Sequence, residues 1–171
     1  MLKLFCPNMY VKSIYSINPT DLISRNIKGI IVDLDNTLVP WNVKKPNKKL
    51  INWFTSFLNH GIKFCIVSNN NESRVKLFAD GLNIPYIYSA IKPSKRSFKK
   101  GIVLLGTDSP NTAVIGDQIL TDILGGNRVG IFTILVKPMC QQEFWWTKLM
   151  RKFEKRIIYS LMKKGLLDIP K

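Results

Sequence analysis

Nowhere in these 171 residues does an apolar run approach the roughly 18 residues that a bilayer-crossing helix needs. The longest, such as Ile30 to Val32 and Ile131 to Val136, are strand-length, which excludes a membrane-spanning helix. The start, Met1 to Tyr10, carries one lysine and is broken by Cys6, Pro7 and Asn8. It lacks the charged, apolar and small-residue succession of a secretory signal, so the cytoplasm is the expected compartment. Cysteine is scarce: Cys6, Cys65 and Cys140 form an odd set without zinc-ligand spacing, and reduced thiols are expected, with Cys65 in the core. The single histidine, His60, stands before Gly61 at a predicted helix end, where it suits the last carbonyls better than it suits catalysis. Acidic residues are few, 11 against 26 Lys and Arg, giving a net charge of +15 and a pI near 9.9. That balance favours anionic partners. The excess gathers at Lys44, Lys45, Lys48 and Lys49, at Lys95, Arg96, Lys99 and Lys100, and from Lys148 to Lys164. Such clusters are commonly just solvated helix faces, so the charge supports a function without specifying one. No repeat or low-complexity segment is present.

What the chain does contain is an alternation. With 46% hydrophobic residues it has enough apolar mass for one domain with a real core. Gly29 to Val32, Phe64 to Val67, Tyr86 to Tyr88, Ala113 to Ile115 and Ile131 to Val136 are short and almost wholly apolar, the pattern of buried parallel strands. Amphipathic stretches lie between them. Pro46 to His60 places Leu50, Phe54, Phe57 and Leu58 on one side; Glu72 to Asp80 follows the N-cap candidate Asn71; Ser94 to Leu105 and Thr121 to Arg128 complete the series. Strands alternating with helices predict an α/β, Rossmann-like fold, a parallel sheet with helices on both faces. We divide the chain into an N-terminal segment (1–28) packing on the core, the core itself (29–136), and a C-terminal basic amphipathic helix and tail (137–171).

In such sheets ligands bind beyond the carboxyl ends of the strands. The residues there are polar: Asp33-Leu34-Asp35-Asn36-Thr37, then Ser68-Asn69-Asn70, then Lys92, then Gly116-Asp117 with Asp122 beyond. The set suits phosphoryl transfer. An ionised Asp33 can attack phosphorus, and Asp35, on the same side two residues on, can protonate the leaving oxygen and later deprotonate water. Asp33, Asp117 and the Asp35 backbone carbonyl can supply oxygen ligands to Mg2+. Lys92 would balance charge on the phosphoryl oxygens, and Ser68 would donate to one of them. Taken singly, Thr37 could be a turn residue, and Ser68 or Asn69 a helix cap. Asn36 is expected at an unusual backbone angle, Gly125 and Gly126 in packing, and Asn127 and Arg128 at a helix end.

The motifs DLDNT, VSN, IKPSK and GDQILTD, in that order and each after a strand-like run, resemble those of the haloacid dehalogenase superfamily. The resemblance spans Gly29 to Val136. It implies Asp33 as nucleophile, Asp35 as acid/base, Thr37, Ser68, Asn69 and Lys92 as phosphate-binding residues, Asp33, Asp35 and Asp117 as metal-site residues, and Asp122 in support. Transport ATPases that resemble the motif carry Thr at the position of Asp35, so the carboxylate favours hydrolysis. With 35 positions from Asp33 to Ser68 and 24 from Ser68 to Lys92, neither interval can hold a cap domain. A narrower resemblance, carried by Pro7-Asn8-x-Tyr10, IIVDLDNTLVPW, VSNN and GDQILTDILGGNRVG, is to the YqeG-like phosphatases of subfamily IIIA, near the phosphatidylglycerophosphate phosphatases.

Three functions follow as expectations: a phosphatase acting on a phosphate held in an anionic membrane surface, a phosphatase of soluble metabolites or phosphoproteins, and a basic nucleic-acid-binding module. No nucleic-acid motif is present, which disfavours the third. The first draws on the tail. From Gln141 to Lys164, Trp145, Leu149, Phe153, Ile157 and Leu161 recur every fourth residue, with Lys148, Arg151, Lys152 and Lys155 on the other side. Such a stripe serves equally to pack a helix on the core or to lay it peripherally on a membrane.

Overall fold

The computed structural model describes residues 2–139 and 145–170, with side chains in the second stretch described from residue 150 onward. Six strands form one wholly parallel sheet: β1 (Met9–Val11), β2 (Gly29–Val32), β3 (Lys63–Val67), β4 (Tyr86–Ile87), β5 (Thr112–Gly116) and β6 (Phe132–Val136). Their order is β1-β6-β5-β2-β3-β4. The helices are α1 (Pro19–Ile23), α2 (Lys48–Leu58), α3 (Glu72–Asp80), α4 (Lys95–Leu105), α5 (Leu124–Val129) and α6 (Trp145–Lys163). Among the described residues, no helix is long and apolar enough to cross a membrane.

Alternation along each strand feeds two cores. Ile30 and Val32 of β2 join Phe64 and Ile66 of β3 beneath Leu50, Trp53, Phe54 and Phe57 of α2 and Val75 and Phe78 of α3. Ile31, Cys65, Val67 and Val114 point the other way, against Phe98, Ile102 and Leu105 of α4. Every residue of β2 is buried, as a strand covered on both faces must be. Gly125 lets α5 approach: a Cβ there would overlap the Phe98 ring.

Several boundaries differ from expectation for local reasons. In α2, Asn47 caps the first turn by accepting from Leu50 N at 2.9 Å, leaving Pro46 outside. The helix buries Trp53 where Leu58 was expected, and Leu58 is 44% exposed. The expected helix from Thr121 begins instead as a π-type turn, Ile119–Ile123, before α5. The N-terminal segment contributes β1, an edge strand pairing with β6 from Met9↔Ile134 to Val11↔Val136. In α6, Glu154 and Leu161 are buried and Ile157 and Ile158 pack on Ile119, Ile123 and Leu135. Of the expected stripe, Leu161 is buried and Ile157 packs inward, whereas Phe153 is 48% exposed and Glu154 is buried in its stead. Arg151, expected on the solvent side, turns inward. Gln141 to Phe144, the start of the expected helix, lie outside the described residues, as does Cys140. Cys6 and Cys65 are free thiols, and burial pushes Cys65 up to about 12. His60 Nδ1 lies 2.7 Å from the Ser56 carbonyl, a helix-end contact.

Candidate active site

β2 lies between β5 and β3, and the chain builds outward from it in both directions, so the crevice of the sheet opens where its carboxyl end meets those of its neighbours. Asp33 follows β2 directly, and its amide extends the β2–β5 ladder by donating to Ile115 O at 3.0 Å. Asn36, at φ 65°, takes the left-handed turn that folds Asp35 back beside Val39. Ser68 follows β3, Lys92 lies in the loop after β4, and Asp117 follows β5. A cavity of about 300 Å³ is lined by Asp33, Asp35, Ser68, Asn69, Lys92 and Asp122, among others.

Lys92 is the hub. Its ammonium, 3% exposed, lies 2.6 Å from Asp33 Oδ1 and 2.7 Å from Asp122 Oδ1. Burial pulls its pKa down, but Asp122 and Asp33 outweigh that and hold it above its ordinary value. Carboxylate oxygens of Asp33, Asp117 and Asp122 lie within 4.8 Å of one another, all buried. Three carboxyls this close cannot all ionise freely. Burial pushes Asp33 up to about 7 against the pull of Lys92, with Asp122 and Asp117 adding to the rise. Burial likewise lifts Asp117 to about 6, opposed by Arg151 and reinforced by Asp122. Lys92 stays charged. A buried, all-oxygen donor set of this kind suits a hard divalent cation. Asp122 therefore stands level with Asp33 and Asp117 as a potential ligand. It reaches this place because the π-type turn carries it inward and because Gly116 has no side chain: a Cβ there would overlap the Asp122 carboxyl.

The remaining expected residues take more particular places. The Asp35 carboxylate is outside the acidic triad: Oδ1 accepts from Arg74 Nη2 at 2.8 Å and Nε at 3.1 Å, and Oδ2 from Asn70 Nδ2 at 2.8 Å. Thr37 Oγ1 donates to Asp117 Oδ1 at 3.1 Å. Asn69 grips the Lys92 peptide, accepting from its N–H at 2.7 Å and donating to its carbonyl at 3.4 Å. Ser68 Oγ, at the cavity wall, accepts from Asn70 N at 3.2 Å. Asn127 ties α5 to the N-terminal segment through Leu4 O and Cys6 O, at 2.8 and 3.0 Å, and Arg128 donates to Pro93 O at 3.3 Å.

Three residues escaped the sequence reading. Arg74, in the first turn of α3 behind the cap Asn71, forks onto Asp35 and also donates to the Val43 carbonyl. Arg151 of α6 pairs with the Asp117 carboxylate and donates to the Asp117 carbonyl at 2.6 Å. Glu154 pairs with Arg151 at 3.1 Å and accepts from Leu120 N at 3.1 Å. The one available signal was Glu154, the only acidic residue in an otherwise basic α6, three places after an arginine.

Comparison with known proteins agrees with this arrangement. The HAD-hydrolase-like family profile matches residues 90–138. A protein of Bacillus subtilis described as a probable phosphatase, YqeG, is 48% identical over 163 residues, covering 95% of both chains. Phosphatidylglycerophosphate phosphatase 1 of Arabidopsis thaliana, chloroplastic/mitochondrial, is 25% identical over 175 residues, 95% of this chain and 50% of that one. Among solved structures, the cobalt-bound deoxy-D-mannose-octulosonate 8-phosphate phosphatase of Haemophilus influenzae shares the fold with a TM-score of 0.55 and 14% identity, over 85% of this chain and 95% of that one.

Proposed function

Because the chain belongs to the YqeG family of haloacid dehalogenase-type phosphatases, we propose that it hydrolyses a phosphomonoester through an aspartyl-phosphate on Asp33, with Mg2+ as cofactor. The observation that carries this reading is the single crevice in which Asp33, Asp35, Ser68 and Lys92 line one cavity. An Asp33 carboxylate oxygen attacks phosphorus, the bond from phosphorus to the leaving oxygen breaks, and Asp35 gives that oxygen its proton. Asp35 then takes a proton from water, the water oxygen attacks phosphorus, and the bond to Asp33 breaks, releasing phosphate. Lys92 offsets charge on the phosphoryl oxygens from a buried, low-dielectric position, and Ser68 offers its hydroxyl to one of them. Asn69 holds the Lys92 backbone, and Thr37 steadies Asp117. Asp33, Asp117 and Asp122 would hold the metal, with the Asp35 carbonyl as a further oxygen. Bound there, the metal would stabilise charge on the phosphoryl group.

For the substrate, the reading is a phosphate carried in an anionic lipid surface, of the phosphatidylglycerophosphate kind. The described residues include no cap over the crevice. Ile91, next to Lys92, is 78% exposed at φ 55°, a conformation strained for a β-branched residue. Beyond it Lys95, Arg96, Lys99, Lys100 and Val103 of α4 line a surface groove. Basic residues in a helix's first turn oppose the helix dipole, so their presence there asks for a partner. Each would contribute roughly 1 kcal/mol near an anionic membrane. The Arabidopsis relative's name points the same way. The test measures phosphate release from phosphatidylglycerophosphate in vesicles and from soluble sugar phosphates, with Mg2+ and with chelator. Lipid preference with metal dependence is expected; preference for soluble esters would remove the lipid reading, and full activity in chelator the metal.

A further inference from the structure

The pairing of α6 with the loop after β5 concerns the metal reading above and rests on it. Asp117 is held at three points: Thr37 reaches Oδ1, Arg151 Nη2 reaches Oδ2, and Arg151 Nη1 reaches the carbonyl. A single guanidinium thus grips both the side chain and the backbone of one residue, which fixes the direction of its carboxylate. Glu154 extends the hold to Leu120, so α6 clasps the loop at residues 117 and 120 together. We propose that Arg151 is a positioning residue of the metal site, acting through Asp117, and that α6 is thereby part of that site rather than an appended tail.

Docking alone does not account for the pair. Ile157 and Ile158 already supply an apolar face against Ile119, Ile123 and Leu135, and Leu161 is buried as well. A buried ion pair adds little net stability, because desolvation consumes most of its Coulomb gain. Its contribution is direction. A carboxylate has about four lone-pair sites, so Asp117 can accept from Thr37 and Arg151 and still bind a cation. Electrostatics and positioning also predict opposite signs. If Arg151 acted only as a positive charge beside the metal, removing it would tighten metal binding. If it orients Asp117, removing it weakens binding, as loss of such outer partners commonly does by about 10- to 100-fold.

The experiment is calorimetric titration of Mg2+ into the full chain and into Arg151→Gln and Arg151→Lys, each checked for fold by circular dichroism. Arg151→Gln is expected to bind Mg2+ about 10- to 100-fold more weakly. Arg151→Lys keeps the charge without the fork and is expected to fall between it and the wild type. The Mg2+ concentration that gives half-maximal turnover of an aryl phosphate should rise in step with the loss of affinity. Amide exchange across 118–123 and α6 should slow on adding Mg2+ to the wild type, and less so in Arg151→Lys, since coupling between two sites is reciprocal. Equal or tighter Mg2+ binding by the folded variants overturns the proposal. If Arg151→Gln does not fold, Arg151→Lys decides alone, and unchanged affinity there overturns it. A wild type that binds no Mg2+ would instead remove the metal reading itself.

Discussion

Replacing Asp33, the proposed nucleophile, should make the metal-free protein more stable. Burial, with the neighbouring Asp122 and Asp117 adding to it and Lys92 opposing it, raises the Asp33 pKa from an ordinary 3.8 to about 7. A carboxyl whose folded value lies above its unfolded one binds its proton more tightly in the native state. It therefore costs no stability below about pH 4, and the cost grows until it is complete above about pH 7. A rise from 3.8 to about 7, at about 1.4 kcal/mol per pH unit, comes to about 4 kcal/mol. Water reaches the side chain, which is 11% exposed, so about 2–4 kcal/mol is the expected gain from Asp33→Asn at pH 8. At about 2–4 °C per kcal/mol for a chain of this size, the melting temperature should rise by at least about 4 °C. Scanning calorimetry in chelator at pH 5 and pH 8 reads this directly. The gain should shrink toward pH 5, and added Mg2+ should reverse it by stabilising the wild type more. The same variant should have lost turnover. A variant less stable than wild type at pH 8, or a difference that does not change with pH, would refute the argument that Asp33 is electrostatically strained.

Three further outcomes are expected. Asp35→Asn should keep the fold and lower turnover of an aryl phosphate by about 100-fold or more, through loss of both proton transfers; unchanged kinetics would return Asp35 to a structural role. Arg74→Met, which frees Asp35 Oδ1 and the Val43 carbonyl, should lower kcat by about 10- to 100-fold with little change in KM, and Arg74→Lys should restore part of it. Gly125→Ala, which forces a methyl into the Phe98 ring, should cost about 1–3 kcal/mol in urea unfolding; a neutral result would mean that α4 and α5 can separate without loss.

Legibility followed local chemistry. Each of the four motifs follows an apolar run, so the strand and the polar residues after it announce each other; Asp33, Ser68 and Lys92 line one cavity, with an Asp117 carboxylate oxygen within 4.8 Å of one of Asp33. Asn71 and Asn36 were readable because a cap and a left-handed turn select Asn within a few residues. Partners chosen across the fold were hidden. Arg74 joins Asp35 from 39 residues away and Arg151 joins Asp117 from 34. Nothing in a run of basic residues marks which one turns inward. The inward turn of Arg151 and Glu154 escaped for the same reason: a period-four apolar stripe was visible, but not that Glu154 would be buried where Phe153 is exposed. β1 was invisible because three residues at a sheet edge are too short to show a period.

The pairing of β1 with β6 has a bearing on how the chain comes to be folded as it is made. Met9 meets Ile134, 125 positions later, so β1 leaves the ribosome long before the strand it pairs with. Closing so long a loop is entropically costly, and contacts of this separation slow folding. Until β6 exists, Met9–Val11 lacks the strand it pairs with.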